Sequence, residues 1–80
     1  MATARVLAPL PGTFFRSASP GEPPFKSEGD TVAPGDVLGL VEVMKMFYDV
    51  TAETRGKVVR FLASDSDAVD ADQPLVELET

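Results

Sequence analysis

An all-β fold, a small sandwich or flattened barrel with an approximate two-fold axis, is what this 80-residue chain predicts. Three features carry the prediction. Short apolar runs of strand length are broken by turn residues, with no stretch of helical period. Seven prolines, at Pro9, Pro11, Pro20, Pro23, Pro24, Pro34 and Pro74, leave few places for a long helix. The second half of the chain also repeats the first.

The candidate strands follow in order. Arg5–Ala8 and Gly12–Phe15 are rich in apolar and β-favouring residues, with Pro9 and Pro11 between them. Ser17–Pro24 is dominated by Pro, Gly and Ser and reads as a surface loop. Glu28-Gly29-Asp30 and Pro34-Gly35-Asp36 are turn signals ahead of the long run Val37–Val43. Phe47–Ala52 comes next, and the turn Thr54-Arg55-Gly56 leads into Gly56–Leu62. Asp70-Ala71-Asp72 turns the chain into the last run, Pro74–Leu78.

The repeat is specific about its own irregularity. Gly12-Thr13-Phe14-Phe15-Arg16 matches Gly56-Lys57-Val58-Val59-Arg60 at an offset of 44. Asp30-Thr31-Val32 matches Asp67-Ala68-Val69, and Leu38–Glu42 matches Leu75–Glu79, both at an offset of 37. The first half therefore holds seven extra residues between Arg16 and Asp30, assigned to the Pro/Gly/Ser-rich loop at about 17–24. One repeat cannot bury a sheet face alone, but two packed face to face can. The segment joining them, Glu42-Val43-Met44-Lys45-Met46-Phe47, is then an exposed hairpin at the midpoint. A two-residue turn at Met44-Lys45 or at Lys45-Met46 puts residues ill suited to positive φ where tight hairpins require it. A local rule broken at a loop tip marks a functional position.

Composition bounds what such a domain does. Thirteen acidic against seven basic residues give a net charge of −6, which argues against binding nucleic acid or an anionic membrane. No apolar run approaches the ~20 residues that span a bilayer, and a secretory signal is not expected. With no Cys, a disulfide scaffold, a thiol nucleophile and a Cys-ligated zinc site are excluded. With no His either, the usual general base is missing, and so small a domain holds no deep pocket, so no catalytic residue is expected. The acidic run Asp65, Asp67, Asp70 and Asp72 fails the EF-hand pattern, having Asp70 where Gly is needed and Val76 where Glu is needed. It reads as a solvated turn, and no metal is expected. A soluble cytoplasmic domain, monomeric in isolation, fits these numbers.

The hairpin residues carry a resemblance. Val41-Glu42-Val43-Met44-Lys45-Met46 resembles the attachment motif of biotinyl domains, usually Glu-Ala-Met-Lys-Met. Ala8–Arg16 and Ser19–Phe25 are similar to the biotin carboxyl carrier branch of that family in bacterial acetyl-CoA carboxylase, which has a protruding thumb in its first half. The similarity runs from about Val6 to Glu79. It implies two four-stranded antiparallel sheets related by a quasi-two-fold axis, with the lysine on a hairpin tip and a thumb-like insertion. It implies that a biotin protein ligase joins biotin to the Lys45 amine as an amide. It further implies that biotin carboxylase loads the carrier with a carboxyl group, which a carboxyltransferase passes to an acyl-CoA such as acetyl-CoA in fatty-acid synthesis. Glu42, Met44 and Met46 would be read by the ligase. The thumb residues Ser19, Pro20, Gly21, Glu22, Pro23 and Pro24 would contact the biotin or restrain its swing.

Each feature also has an ordinary reading. Lys45 alone is a solvated lysine, Met44 and Met46 are gap-filling core residues, and Glu42 is a solvent-facing strand residue. The motif, its midpoint position and the inserted loop together favour modification. Lysine suits the task, since its long stem is a flexible arm. Its amine is almost wholly protonated near neutral pH, so an outside ligase must supply the activated acyl donor.

Val43 departs from the usual alanine, and the aromatic pair Phe47-Tyr48 either forms a sticky patch at the tip or packs inward at Phe47 only. The long Pro/Ala-rich N-terminal region of such carriers is not part of this sequence, which is consistent with an excised domain or a stand-alone carrier. The rivals are a lipoyl domain of a 2-oxoacid dehydrogenase complex, which shares the fold but has Asp-Lys-Ala or similar and no thumb, and an unmodified interaction domain.

Overall fold

The computed structural model describes residues 2–80. Its elements are β1 (Thr3–Leu7), β2 (Gly12–Phe15), β3 (Thr31–Val32), β4 (Val37–Val43), β5 (Met46–Thr51), β6 (Gly56–Phe61), β7 (Ala68–Val69) and β8 (Pro74–Glu79). They form two four-stranded antiparallel sheets, ordered β1-β8-β6-β3 and β5-β4-β2-β7. Exchanging every strand for the one four places along converts one order into the other. That exchange is the quasi-two-fold axis.

The symmetry extends to single hydrogen bonds. The Ser27 N–H donates to the Asp30 carboxylate at 2.8 Å, and Ser64 N–H donates to Asp67 at the same distance. Gly29 N–H donates to the Val58 carbonyl, and its counterpart Ser66 N–H donates to that of Phe14. Gly35 N–H donates to Ala52, and Asp72 N–H donates to Ala8. The two turns thus repeat, although φ is positive at Gly29 and Gly35 in the first half and at Ser66 and Asp72 in the second. Such carboxylates, each accepting from the N–H three residues earlier, explain the aspartates between strands, since they satisfy backbone N–H groups the sheets leave free.

The core repeats as well. Ala8 and Ala52, Phe14 and Val58, Val32 and Val69, Leu38 and Leu75, and Val41 and Leu78 are equivalent buried pairs. The two copies share one cluster because they interleave, each sheet taking two strands from each half. The repeats therefore do not stack face to face as separate sheets, and neither half has an inner face of its own. β3 and β7 escaped the strand reading of the sequence. They are two residues long, too short to show alternation, and are set by pairing to β6 and β2. Short edges of this sort also offer little to a foreign strand.

Two connections fix where the ends lie. β4 and β5 close through Val43 opposite Met46. Beside that turn Thr13 of β2 pairs with Glu42 on one side, while Gly12 and Thr13 pair with Val69 and Ala68 of β7 on the other. At the other end, Thr3 faces Glu79, Glu79 faces Lys57, and the Thr80 N–H donates to the Ala2 carbonyl at 2.9 Å. The far end of β5 reaches β6 there through residues 52–55. The 38 × 26 × 19 Å domain therefore carries its hairpin at one end and residues 2 and 80 at the opposite end.

Candidate functional site

The β4–β5 turn is Met44-Lys45, with φ of +50° and +69°. Positive φ at both central residues is the signature of a type I′ turn, which matches the right-handed twist of the flanking strands. Asn and Gly are the usual occupants, and a residue with a Cβ costs roughly 1–2 kcal/mol in this region. Methionine and lysine hold it because the β4–β5 ladder on one side and β2 on the other over-determine the path. Gly12 makes that close approach possible: a Cβ there would run into the Glu42 carbonyl and the Val43 side chain.

Lys45 is exposed at the apex and forms no ion pair among the described residues, whereas Lys26 pairs with Asp36. Met44 and Met46 flank it with 92% and 60% of their surface open, so neither belongs to the core. Residues directly opposite in an antiparallel pair share a sheet face. Phe14, Val41 and Tyr48 lie on one face, and Thr13, Glu42 and Phe47 on the other. The first set is the inner face, since Phe14 and Val41 are fully buried. Glu42 and Phe47 therefore point outward, and Phe47 does not pack inward. Tyr48 lies on the inner side, yet remains 42% exposed at the sheet edge.

The loop after β2 folds over that outer face. Its base closes where the Phe25 N–H donates to the Arg16 carbonyl at 2.9 Å. Its tip is a turn in which the Glu22 N–H donates to the Ser19 carbonyl, with Pro20 fixing one φ and Gly21 taking +85°. Between loop and sheet runs a groove of about 400 Å³, lined by Phe15, Ser17, Ala18, Ser19, Pro20, Glu42, Phe47, Asp65 and Ser66. The structure thus brings Ser19, Pro20 and Glu42 together beside the tip hairpin. Gly21, Glu22, Pro23 and Pro24 are exposed and do not line the groove. A larger cleft of about 570 Å³ between β1 and β5 is lined by none of the hairpin-tip residues.

Arg16 and Asp65 have roles the sequence reading did not assign. The Arg16 N–H donates to the Asp65 carboxylate at 2.8 Å, and its guanidinium lies 3.9 Å above the Phe61 ring. Both contacts tie the base of the loop to the second half of the chain. Asp65 is therefore more than a solvated turn residue. Its partner lies 49 residues away, and no local pattern announces such a contact. No group of three or more His, Cys, Asp or Glu is placed to hold a metal among the described residues. Among the described residues no helix is long and apolar enough to cross a membrane.

Comparison with known proteins agrees with this geometry. The family model described as "Biotin-requiring enzyme" matches residues 4–78. The chain is 46% identical over 70 residues, 88% of its length and 25% of the relative's, to the biotin carboxyl carrier protein of acetyl-CoA carboxylase 1, chloroplastic, of Arabidopsis thaliana. It is 42% identical over 74 residues, 92% of its length and 48% of the relative's, to the biotin carboxyl carrier protein of acetyl-CoA carboxylase of Haemophilus influenzae. The chain thus spans a quarter to a half of these relatives. A single-chain, multi-domain long-chain acyl-CoA carboxylase superposes with a TM-score of 0.76 at 25% identity, over 94% of this chain and 7% of that one. The Kluyveromyces lactis urea carboxylase shares the fold, with a TM-score of 0.80 at 24% identity over 99% of this chain and 6% of that one. A match across nearly the whole sequence, on a fold with this tip and this symmetry, places the chain in the biotin/lipoyl attachment-domain family.

Proposed function

We propose that this chain is the carrier domain of a biotin-dependent carboxylase, with biotin joined to the Lys45 amine as an amide by a biotin protein ligase. The observation that carries the reading is an unpaired, exposed Lys45 between two exposed methionines at the apex of the midpoint hairpin. The domain would carry a carboxyl group from biotin carboxylase to a carboxyltransferase, and the named relatives favour acetyl-CoA as the acceptor. It performs neither reaction itself.

The residues fit the group. An amide to Lys45 needs an amine without steric cover, and the type I′ turn lifts the side chain clear of both strands. Bound there, biotin supplies a ureido nitrogen that takes up and gives up a carboxyl group. Lys45 provides the flexible arm, and the rigid turn provides its fixed root. Tethering turns each delivery into an intramolecular step, with a local concentration set by the reach of the arm and its linker. Glu42, Met44 and Met46 form the surface the ligase meets. Ser19 and Pro20, across the groove from Phe47, offer a wall against which the carried ring can rest between deliveries.

Incubation with biotin protein ligase, biotin and ATP tests the proposal. Intact mass should rise by one biotin amide, and the product should bind avidin. A Lys45→Ala variant should keep its stability to within ~0.5 kcal/mol, as expected for an exposed side chain, and lose all avidin binding. A lipoyl adduct formed under the corresponding ligase, with no biotin taken up, would overturn the reading in favour of the lipoyl branch.

A further inference from the structure

The chemistry of the tip is not confined to its amine. Met44 and Met46 are the two residues beside Lys45, and their surfaces are 92% and 60% open. The chain has three methionines and no cysteine, so no thiol competes with these thioethers for an oxidant. Buried methionines are shielded by packing, whereas thioethers this open meet dissolved peroxide freely. We propose that Met44 and Met46 are sites of reversible sulfoxidation by hydrogen peroxide, and that oxidation there blocks the loading of Lys45. The proposal rests on the reading of Lys45 as the biotin attachment site.

The step balances within one oxygen transfer. A thioether sulfur attacks one oxygen of hydrogen peroxide, the O–O bond breaks, and an S–O bond forms. Sulfur is oxidised by two electrons, the peroxide is reduced, and the remaining oxygen leaves as water. Each product is polar and chiral where the reduced side chain was apolar and flexible. Because neither side chain contributes to the core, the fold has no reason to change. What changes is the surface within one residue of the amine. An enzyme that must bury those side chains to reach Lys45 then meets a sulfoxide dipole that it has to desolvate. Methionine sulfoxide reductases reverse the change with a dithiol as reductant: the sulfur returns to the thioether, the oxygen leaves as water and the dithiol becomes a disulfide. The block is therefore a switch rather than damage.

The experiment uses the biotin-free chain, treated with hydrogen peroxide and then freed of it before any enzyme is added. Peptide mapping should find one added oxygen on each of Met44 and Met46, and circular dichroism should be unchanged. Loading by biotin protein ligase should then slow about tenfold or more, the factor that losing one buried apolar side chain carries. Treatment with both reductase types should restore the original rate. A Met44→Leu/Met46→Leu variant, whatever its own rate, should load equally fast before and after peroxide. The proposal is overturned if the oxidised chain loads at the untreated rate, if peroxide leaves both methionines unmodified, or if the leucine variant is slowed as much. Untreated chain that takes up no biotin at Lys45 would refute the functional reading itself, and this inference with it.

Discussion

Met44 and Lys45 occupy left-handed backbone that Asn and Gly fill more easily, so the tip trades stability for the side chains it displays. The trade is measurable. Met44→Asn should raise stability by about 1 kcal/mol, which for a domain of this size is a melting-point gain of about 4–8 °C. The same variant should load biotin more slowly, because the ligase loses one of its flanking contacts. Thermal unfolding and avidin-shift rates read the two effects separately, and a variant neither stabilised nor slowed would show that the turn is not a compromise. The conflict at this turn was legible in the sequence, since methionine and lysine stood where a tight hairpin wants positive φ. Which pair forms the turn was not. Met44-Lys45 wins over Lys45-Met46 because Val43 opposite Met46 keeps the register of the six-pair β4–β5 ladder.

The inserted loop has no regular structure of its own, and what positions it are contacts at its base. Arg16 is central to them, through its backbone to Asp65 and Phe25 and through its guanidinium over Phe61. Arg16→Met keeps the apolar stem but removes the cation over the ring, a contact worth about 0.5–2 kcal/mol. Cleavage within residues 17–24 by a nonspecific protease should then speed up several-fold, as local opening becomes easier. Unchanged cleavage would mean that the backbone bonds alone hold the loop. The sheet beneath tolerates even less change. A Cβ at Gly39 would lie 2.6 Å from the Phe14 ring and 2.7 Å from the Phe15 carbonyl. Gly39→Ala should therefore cost about 1–3 kcal/mol by overpacking, readable in urea denaturation. The offsets of the repeat located the insertion between Arg16 and Asp30, but its fold over Glu42 and Phe47 depends on distant contacts that leave no periodic trace.

At the scale of the molecule, the sequence repeat and the sheet topology are one fact seen twice. Residues matched at offsets of 37 and 44 became equivalent buried pairs and equivalent carboxylate-capped turns, because exchanging each strand for the one four places along maps the inner face of one sheet onto that of the other. The same symmetry makes Thr80 and Ala2 the counterparts of Val43 and Met46, at the end away from Lys45. A circular permutant linking Thr80 to Ala2 by Asn-Gly, with new ends between Thr54 and Arg55, should fold and still load biotin. Loss of its cooperative unfolding transition would mean that the two ends are less equivalent than their hydrogen bond implies. The larger β1–β5 cleft was invisible in the sequence, since it arises only where the edge strands of the two sheets approach.

The central claim is that one amine, at the tip of the symmetric sandwich, receives the prosthetic group. Three lysines, Lys26, Lys45 and Lys57, compete for it in principle. Lys26 is paired with Asp36, and Lys57, although exposed, sits in the middle of a sheet on β6 between β3 and β8, with no flanking methionine and not at a hairpin tip. Tandem mass spectrometry of the ligase-treated chain distinguishes all three in one measurement. One biotin per molecule, found only on Lys45, is the predicted result; biotin on Lys26 or Lys57 with Lys45 unmodified would contradict it.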